Sequence, residues 1–155
     1  MAIGRHQQDD YDRQGVLVLE ELLTQADIEP VRARSEEIAI GKVAGFPRPD
    51  IEFEPGRSDY GGLDSVRKLN HCAENDEIFL AHARNAKILD VVEPLIGPDI
   101  KLFSSQLFMK PAGGVEKPYH QDSPYFTIEP TALVTCWTAL DDVTLENGCM
   151  WTIPG

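Results

Sequence analysis

The run His120-Gln121-Asp122 carries the residues best suited to chemistry in this chain. A histidine and a carboxylate two positions apart project from the same face of an extended backbone. Side by side they supply two of the three ligands of a 2-His-1-carboxylate iron site. The third ligand, a second histidine, has to come from elsewhere. Taken alone the spacing is a weak signal, because a histidine on a strand is more often packed or hydrogen-bonded than metal-bound. Its setting among Pro118, Tyr119, Pro124, Tyr125 and Phe126, with a strand-and-turn pattern after it, strengthens the metal reading.

The motif needs elements to hold it. Gly15-Val-Leu-Val-Leu19 suits a short buried strand. Thr24 and Asp27 have capping-box spacing, so a helix is expected from there to about Ile40, with Pro30 shortening or kinking its first turn. Residues 43–65 are broken by Pro47, Pro49, Pro55, Gly45, Gly56, Gly61 and Gly62. So long a stretch is either a binding loop or lid, or a disordered surface excursion. Asn75 to Ala83 and Asn85 to Ile96 read as two short helices; in the second, Ile88, Val91, Val92 and Leu95 share one face. From Ile100 the pattern turns to strand: Leu102 to Met109, Pro118 to Asp122 and Ala132 to Leu140. Asn147-Gly148 favours a type I′ turn leading into a fourth strand, Cys149 to Ile153.

Bulk properties narrow the partners. The chain has 155 residues, 42% of them hydrophobic and 26% charged, which is ordinary for one globular domain. A net charge of −12 argues against nucleic acid and against an anionic membrane surface. No run approaches the length of a membrane span, and the N-terminus lacks the apolar region of a secretory signal. Three cysteines with no C-x-x-C pair fit a reducing compartment. Cytoplasmic localisation is the expectation by elimination.

Several motifs form a set: Met109-Lys-Pro-Ala-Gly-Gly114, Pro118-Tyr-His-Gln-Asp122, Tyr125-Phe126, Trp137-Thr-Ala-Leu-Asp-Asp142, Glu146-Asn-Gly-Cys149 and Ile153-Pro-Gly155. The set resembles the phytanoyl-CoA dioxygenase (PhyH) family of Fe(II)- and 2-oxoglutarate-dependent oxygenases. The likeness extends more loosely upstream through Gly15-Val-Leu-Val-Leu19, Arg67-Lys68 and Leu95-Ile-Gly-Pro-Asp99. It implies a mostly β chain with N-terminal α-helices, built on a double-stranded β-helix (a jelly-roll, cupin-like core) with helices packed outside. One oxygenase domain would cover 1–155, with a helical and loop part over 1–99 and the first jelly-roll strands, bearing the metal motif, over 100–155.

By the same resemblance His120 and Asp122 are the first two iron ligands. Lys68, Gln106, Gln121 and Trp137 match positions around the 2-oxoglutarate cosubstrate, and Tyr125 faces substrate. Each has a plainer reading. Trp137 fits an apolar core, Lys68 a solvated charge beside Arg67, and Tyr119 and Tyr125 the packing of a pocket rim. His71 reads as surface or pocket edge; His6 and His82 lack supporting context. The implied partners are a small organic or lipid-like substrate and dioxygen, with ascorbate as an accessory reductant. A carboxylate at 122 favours hydroxylation over halogenation, since related halogenases carry a small residue there that leaves room for chloride.

The family's second iron histidine and its 2-oxoglutarate arginine lie downstream of the Asn-Gly turn, beyond Gly155. The expectation is therefore the N-terminal part of a longer oxygenase, C-terminally incomplete and inactive by itself. The competing readings are a non-catalytic jelly-roll binding module and a cupin-type isomerase or sugar-binding protein.

Overall fold

The capping box at Thr24 starts the longest helix. Asp27 Oδ2 accepts from the Thr24 backbone N–H at 2.7 Å and from its hydroxyl at 2.6 Å, which satisfies a donor the helix start would otherwise leave free. The structure is a computed structural model describing residues 3–130 and 132–154, with Ser123 described by its backbone only. Gly155, the last residue of the Ile-Pro-Gly motif, lies outside the described residues.

The elements are α1 (Arg5–Gln14), α2 (Gln25–Ala39), β1 (Ile51–Phe53), β2 (Val66–Asn70), α3 (Cys72–Asn75), α4 (Glu77–Ala83), α5 (Ala86–Ile96) and β3 (Gln106–Phe108). Short 3-10 helices cover Arg48–Asp50, Leu63–Ser65 and Ser123–Tyr125. Helix α2 runs unbroken through Pro30, forgoing only the backbone bond that proline cannot donate. The polar residues before Gly15 form helix α1, closed by Gly15 at a φ of 72°, where a side chain would be strained.

β1, β2 and β3 form one antiparallel sheet with β2 in the middle. Ile51, Leu69 and Leu107 stand opposite one another across the strands, as do Glu52, Lys68 and Phe108. Alternation sends the first set inward and the second outward. Val66 and Leu69 are fully buried and join Val31, Ile38 and Ala39 of α2 with Phe46, Ile51, Cys72 and Phe79 in one core. The sheet crosses the 99/100 division, since β1 and β2 lie upstream of it and β3 downstream.

Polar groups tie the helices together. Asp76 caps α4 by accepting from the Ile78 N–H at 3.0 Å, and its other oxygen accepts from Arg34 Nε of α2 at 2.7 Å. Asp27 receives Lys87 Nζ and Asn85 Nδ2, joining the start of α2 to that of α5. These donors, Lys87 foremost and then Thr24, hold its carboxyl well below the ordinary value of 3.8.

Several expected strands are absent as ladders. Gly15–Leu19 joins no sheet among the described residues, and Val18 is exposed. The Leu102–Met109 candidate shortens to Gln106–Phe108. Residues 118–122, 132–140 and 149–153 have no strand pairing. An extended segment becomes a strand only when a neighbour takes its backbone N–H and C=O groups, and the described residues offer these segments none. Helix therefore outweighs strand among the described residues, and they carry one three-stranded sheet, not the two facing sheets of a jelly roll. At Asn147-Gly148 only the glycine has positive φ. The Asn147 side chain instead accepts from the Thr144 N–H and donates to the Asp142 carbonyl, so a wider side-chain-stapled turn replaces the two-residue type I′ turn. The 43–65 stretch is neither wholly loop nor excursion: it contains β1 and buries Phe46, and Arg48 stacks over the Phe53 ring at 4.1 Å.

Two outcomes follow from this packing. Leu69→Ala should destabilise the chain by about 2–5 kcal/mol in urea unfolding, because its side chain leaves a void between sheet and helices. Asp27→Asn should lower the thermal midpoint at pH 7. A carboxyl with a depressed folded pKa contributes stability above its unfolded value and loses it as pH falls through the folded one, so the gap to wild type should close below about pH 4. Equal gaps at pH 7 and pH 3 would contradict that assignment.

Candidate metal centre

His120 and Asp122 lie on an irregular stretch without strand partners, not on the expected strand. The stretch turns into the Ser123–Tyr125 3-10 helix, closed by the Tyr125 N–H donating to the Asp122 carbonyl at 2.9 Å. The two side chains nonetheless converge, with His120 Nε2 3.6 Å from Asp122 Oδ1. Two ligands of one first-row ion stand about 3–4 Å apart when each metal–ligand bond is about 2.1 Å.

The surrounding hydrogen bonds decide which atoms are free. His120 Nδ1 lies 2.8 Å from the Pro118 carbonyl oxygen. A carbonyl only accepts, so Nδ1 carries a proton, and in the neutral imidazole Nε2 is then the nitrogen with the lone pair. Metal-binding histidines are commonly fixed this way, by a carbonyl on the nitrogen away from the ion. On the carboxylate, Thr135 Oγ1 donates to Oδ2 at 2.9 Å. Oδ1 is left facing the imidazole. The Tyr125 ring stands edge-on to His120, centroids 6.1 Å apart. Both ligand candidates are partly exposed, at 34% and 42% of the side chain, so solvent and small ions reach them.

The other predicted site residues fall elsewhere. Lys68 and Gln106 share the outward face of the sheet, Lys68 across from Phe108 and Gln106 across from Asn70. Lys68 Nζ sits 3.7 Å from Glu52 Oε1 and 5.2 Å from the Phe108 ring centre. Gln121 and Trp137 are exposed. No hydrogen bond, ion pair or ring contact among the described residues joins these four to the His120–Asp122 pair. Among the described residues there is also no group of three or more His, Cys, Asp or Glu placed to hold a metal. Tyr119 is exposed at 65%. His71 is exposed and paired with Asp50 at 2.9 Å, a structural tie across the turn before α3.

Two contributors were not foreseen. Thr135 falls in the 132–140 segment, and its position two before Trp137 puts the two on one face if the backbone is extended, the only sequence signal for it. His82, on α4, is half-buried, with Nε2 3.2 Å from Thr138 Oγ1. Burial pushes its pKa below the ordinary histidine value, opposed by Asp27. It links α4 to the segment that carries Thr135.

The geometry brings one imidazole nitrogen and one carboxylate oxygen together on a helix-and-sheet body. The sequence places that motif among known proteins: residues 11–155 match the family model for phytanoyl-CoA dioxygenase (PhyH). The chain belongs to the phytanoyl-CoA dioxygenase family. It is 30% identical over 152 residues to the human peroxisomal phytanoyl-CoA dioxygenase, covering 94% of this chain and 45% of that protein. It is 32% identical over 151 residues to the L-proline trans-4-hydroxylase of Streptomyces griseoviridis, covering 94% of this chain and 52% of that enzyme. The chain thus spans about half the length of the curated relatives it matches. Among the described residues no helix is long and apolar enough to cross a membrane.

Because His120 and Asp122 are partly exposed and lie outside the hydrophobic core, His120→Ala and Asp122→Ala should each leave the unfolding free energy within about 0.5 kcal/mol of wild type. A loss several times larger, measured by urea titration, would make the pair a structural contact.

Proposed function

We propose that the chain carries one half of the active site of an Fe(II)- and 2-oxoglutarate-dependent oxygenase that hydroxylates a small organic or lipid-like substrate. The observation that carries this is the pairing of a histidine whose Nε2 lone pair is freed by the Pro118 carbonyl with a carboxylate oxygen 3.6 Å away. The family membership and the hydroxylase and dioxygenase relatives support it. His120 and Asp122 would hold the iron. When bound, the iron couples oxidative decarboxylation of 2-oxoglutarate to hydroxylation of a substrate C–H bond by dioxygen.

The chain's own residues have defined tasks in this reading. Pro118 keeps the imidazole in the ligating tautomer. Lys68 offers its ammonium to the cosubstrate dicarboxylate, exchanging Glu52 for it; a partly exposed pair at 3.7 Å yields at little cost. Gln106 lies on the same face of the sheet. Gln121 and Trp137 would border the cosubstrate, and Tyr125, edge-on to His120, the substrate. Three free cysteines fit a reducing compartment, and the cytoplasm is our reading of it.

We read residues 1–155 as a single oxygenase domain in part, 1–99 a helical and loop portion and 100–155 the first strands of a double-stranded β-helix. Exposure supports this. The buried apolar residues fall between Ile3 and Val92, whereas Phe103, Tyr119, Trp137, Leu145, Trp151 and Ile153 stand open to solvent. Unpaired apolar segments of this kind are what a sheet lacking its neighbours presents. The second histidine and the 2-oxoglutarate arginine would come from sequence matching the other half of the relatives. A non-catalytic binding module is the runner-up, favoured by the missing third ligand among the described residues.

The 155-residue chain, given iron(II), 2-oxoglutarate and ascorbate, should form no more succinate than its His120→Ala variant. Joined to the remaining half of a family member, it should form succinate that the His120→Ala and Asp122→Ala changes abolish. Succinate formation by the joined protein that both changes leave intact would remove His120 and Asp122 from the site.

A further inference from the structure

We propose that Thr135 is a positioning residue for Asp122, and that residues 135–141 act as a strut transmitting the rigidity of the helical body to the metal motif. This rests on the reading of His120 and Asp122 as ligands and goes beyond it by naming what orients them.

An aspartate on an irregular, partly exposed stretch can rotate its carboxylate, and either oxygen can face the histidine. His120 is held locally, through the carbonyl of Pro118 two residues away. Asp122 is held from a distance: the Thr135 hydroxyl, thirteen residues on, donates to Oδ2 at 2.9 Å. With Oδ2 engaged, Oδ1 is the oxygen presented toward Nε2. The bond also disfavours two-oxygen ligation by Asp122, which would use up a coordination position.

Thr135 can do this only if it is itself anchored, and the residues after it are. Thr138 Oγ1 hydrogen-bonds with His82 Nε2 of α4 at 3.2 Å. Leu140 packs against the buried core. Asp141 accepts from Arg32 Nε of α2 at 2.8 Å. Three contacts with the helical body within four residues thus fix a segment that has no strand partner. The strut replaces, for this stretch, the ladder bonds that position side chains in a sheet.

The test is a Mn(II) titration of the chain joined to the remaining half of a family member, with free Mn(II) read by its electron paramagnetic resonance signal, on the unaltered joined protein, Thr135→Val, Thr135→Ser and Asp122→Asn. Removing an outer-shell hydrogen bond typically costs 10–100-fold in metal affinity. Thr135→Val should therefore weaken binding by about tenfold or more, and Thr135→Ser, which keeps the hydroxyl, should restore it. The thermal midpoint of Thr135→Val should match the unaltered joined protein, which separates positioning from a general loss of stability. If Thr135→Val binds like the unaltered protein while Asp122→Asn does not, the positioning role is wrong and the ligand reading stands. If Asp122→Asn binds like the unaltered protein, or the unaltered protein binds no Mn(II), the ligand reading itself fails and takes this inference with it.

Discussion

The central strand β2 is the constraint on which the rest of the structure depends. Its Val66 and Leu69 have no solvent exposure, and they meet α2, Phe46, Ile51 and Phe79 in a single core. Side chains alternate between Lys68 and Leu69, so burying Leu69 sends Lys68 outward, and the register shift between Glu52 and Phe53 lets Val66 reach the same core. Pairing then puts Glu52 on one side of Lys68 and Phe108 on the other. A slip of one residue would bury the lysine and expose the leucine, so the register is set by the hydrophobic effect and the polar face follows from it.

The candidate metal centre is built on a different principle. It stands on irregular backbone, where no ladder fixes direction. Hydrogen bonds do that work instead: a nearby carbonyl for the imidazole and a distant hydroxyl for the carboxylate. The imidazole is held locally, whereas the carboxylate's contact runs back to the helical body through Thr138, Leu140 and Asp141. Part of the acidic charge is engaged in helix caps and interhelix pairs, as in Asp27 with Lys87 and Asp76 with Arg34.

Much was legible from residue types. The capping box at Thr24, the helices near 77–83 and 86–96, and the His-x-Asp pair are local signals, written within a few residues of where they act. The strands were less legible. β1 hid inside a proline- and glycine-rich stretch, and 118–122, 132–140 and 149–153 have strand-like composition without strand pairing. Strand propensity describes a fit to a half-buried pleated surface, and such a surface exists only when a neighbour provides it.

By itself the sequence determined the family, the helix starts, and the presence of one histidine and one carboxylate two residues apart. These follow from short-range chemistry and from motifs that survive in linear order. Only the tertiary structure decided which imidazole nitrogen is free, which carboxylate oxygen faces it, that Thr135 and His82 belong to the arrangement, and that Lys68 shares its face with Glu52 and Phe108. The physical reason is separation along the chain. Thr135 lies thirteen residues from Asp122, and Thr138 fifty-six from His82. Contacts that distant form only once a buried core has fixed where each segment runs.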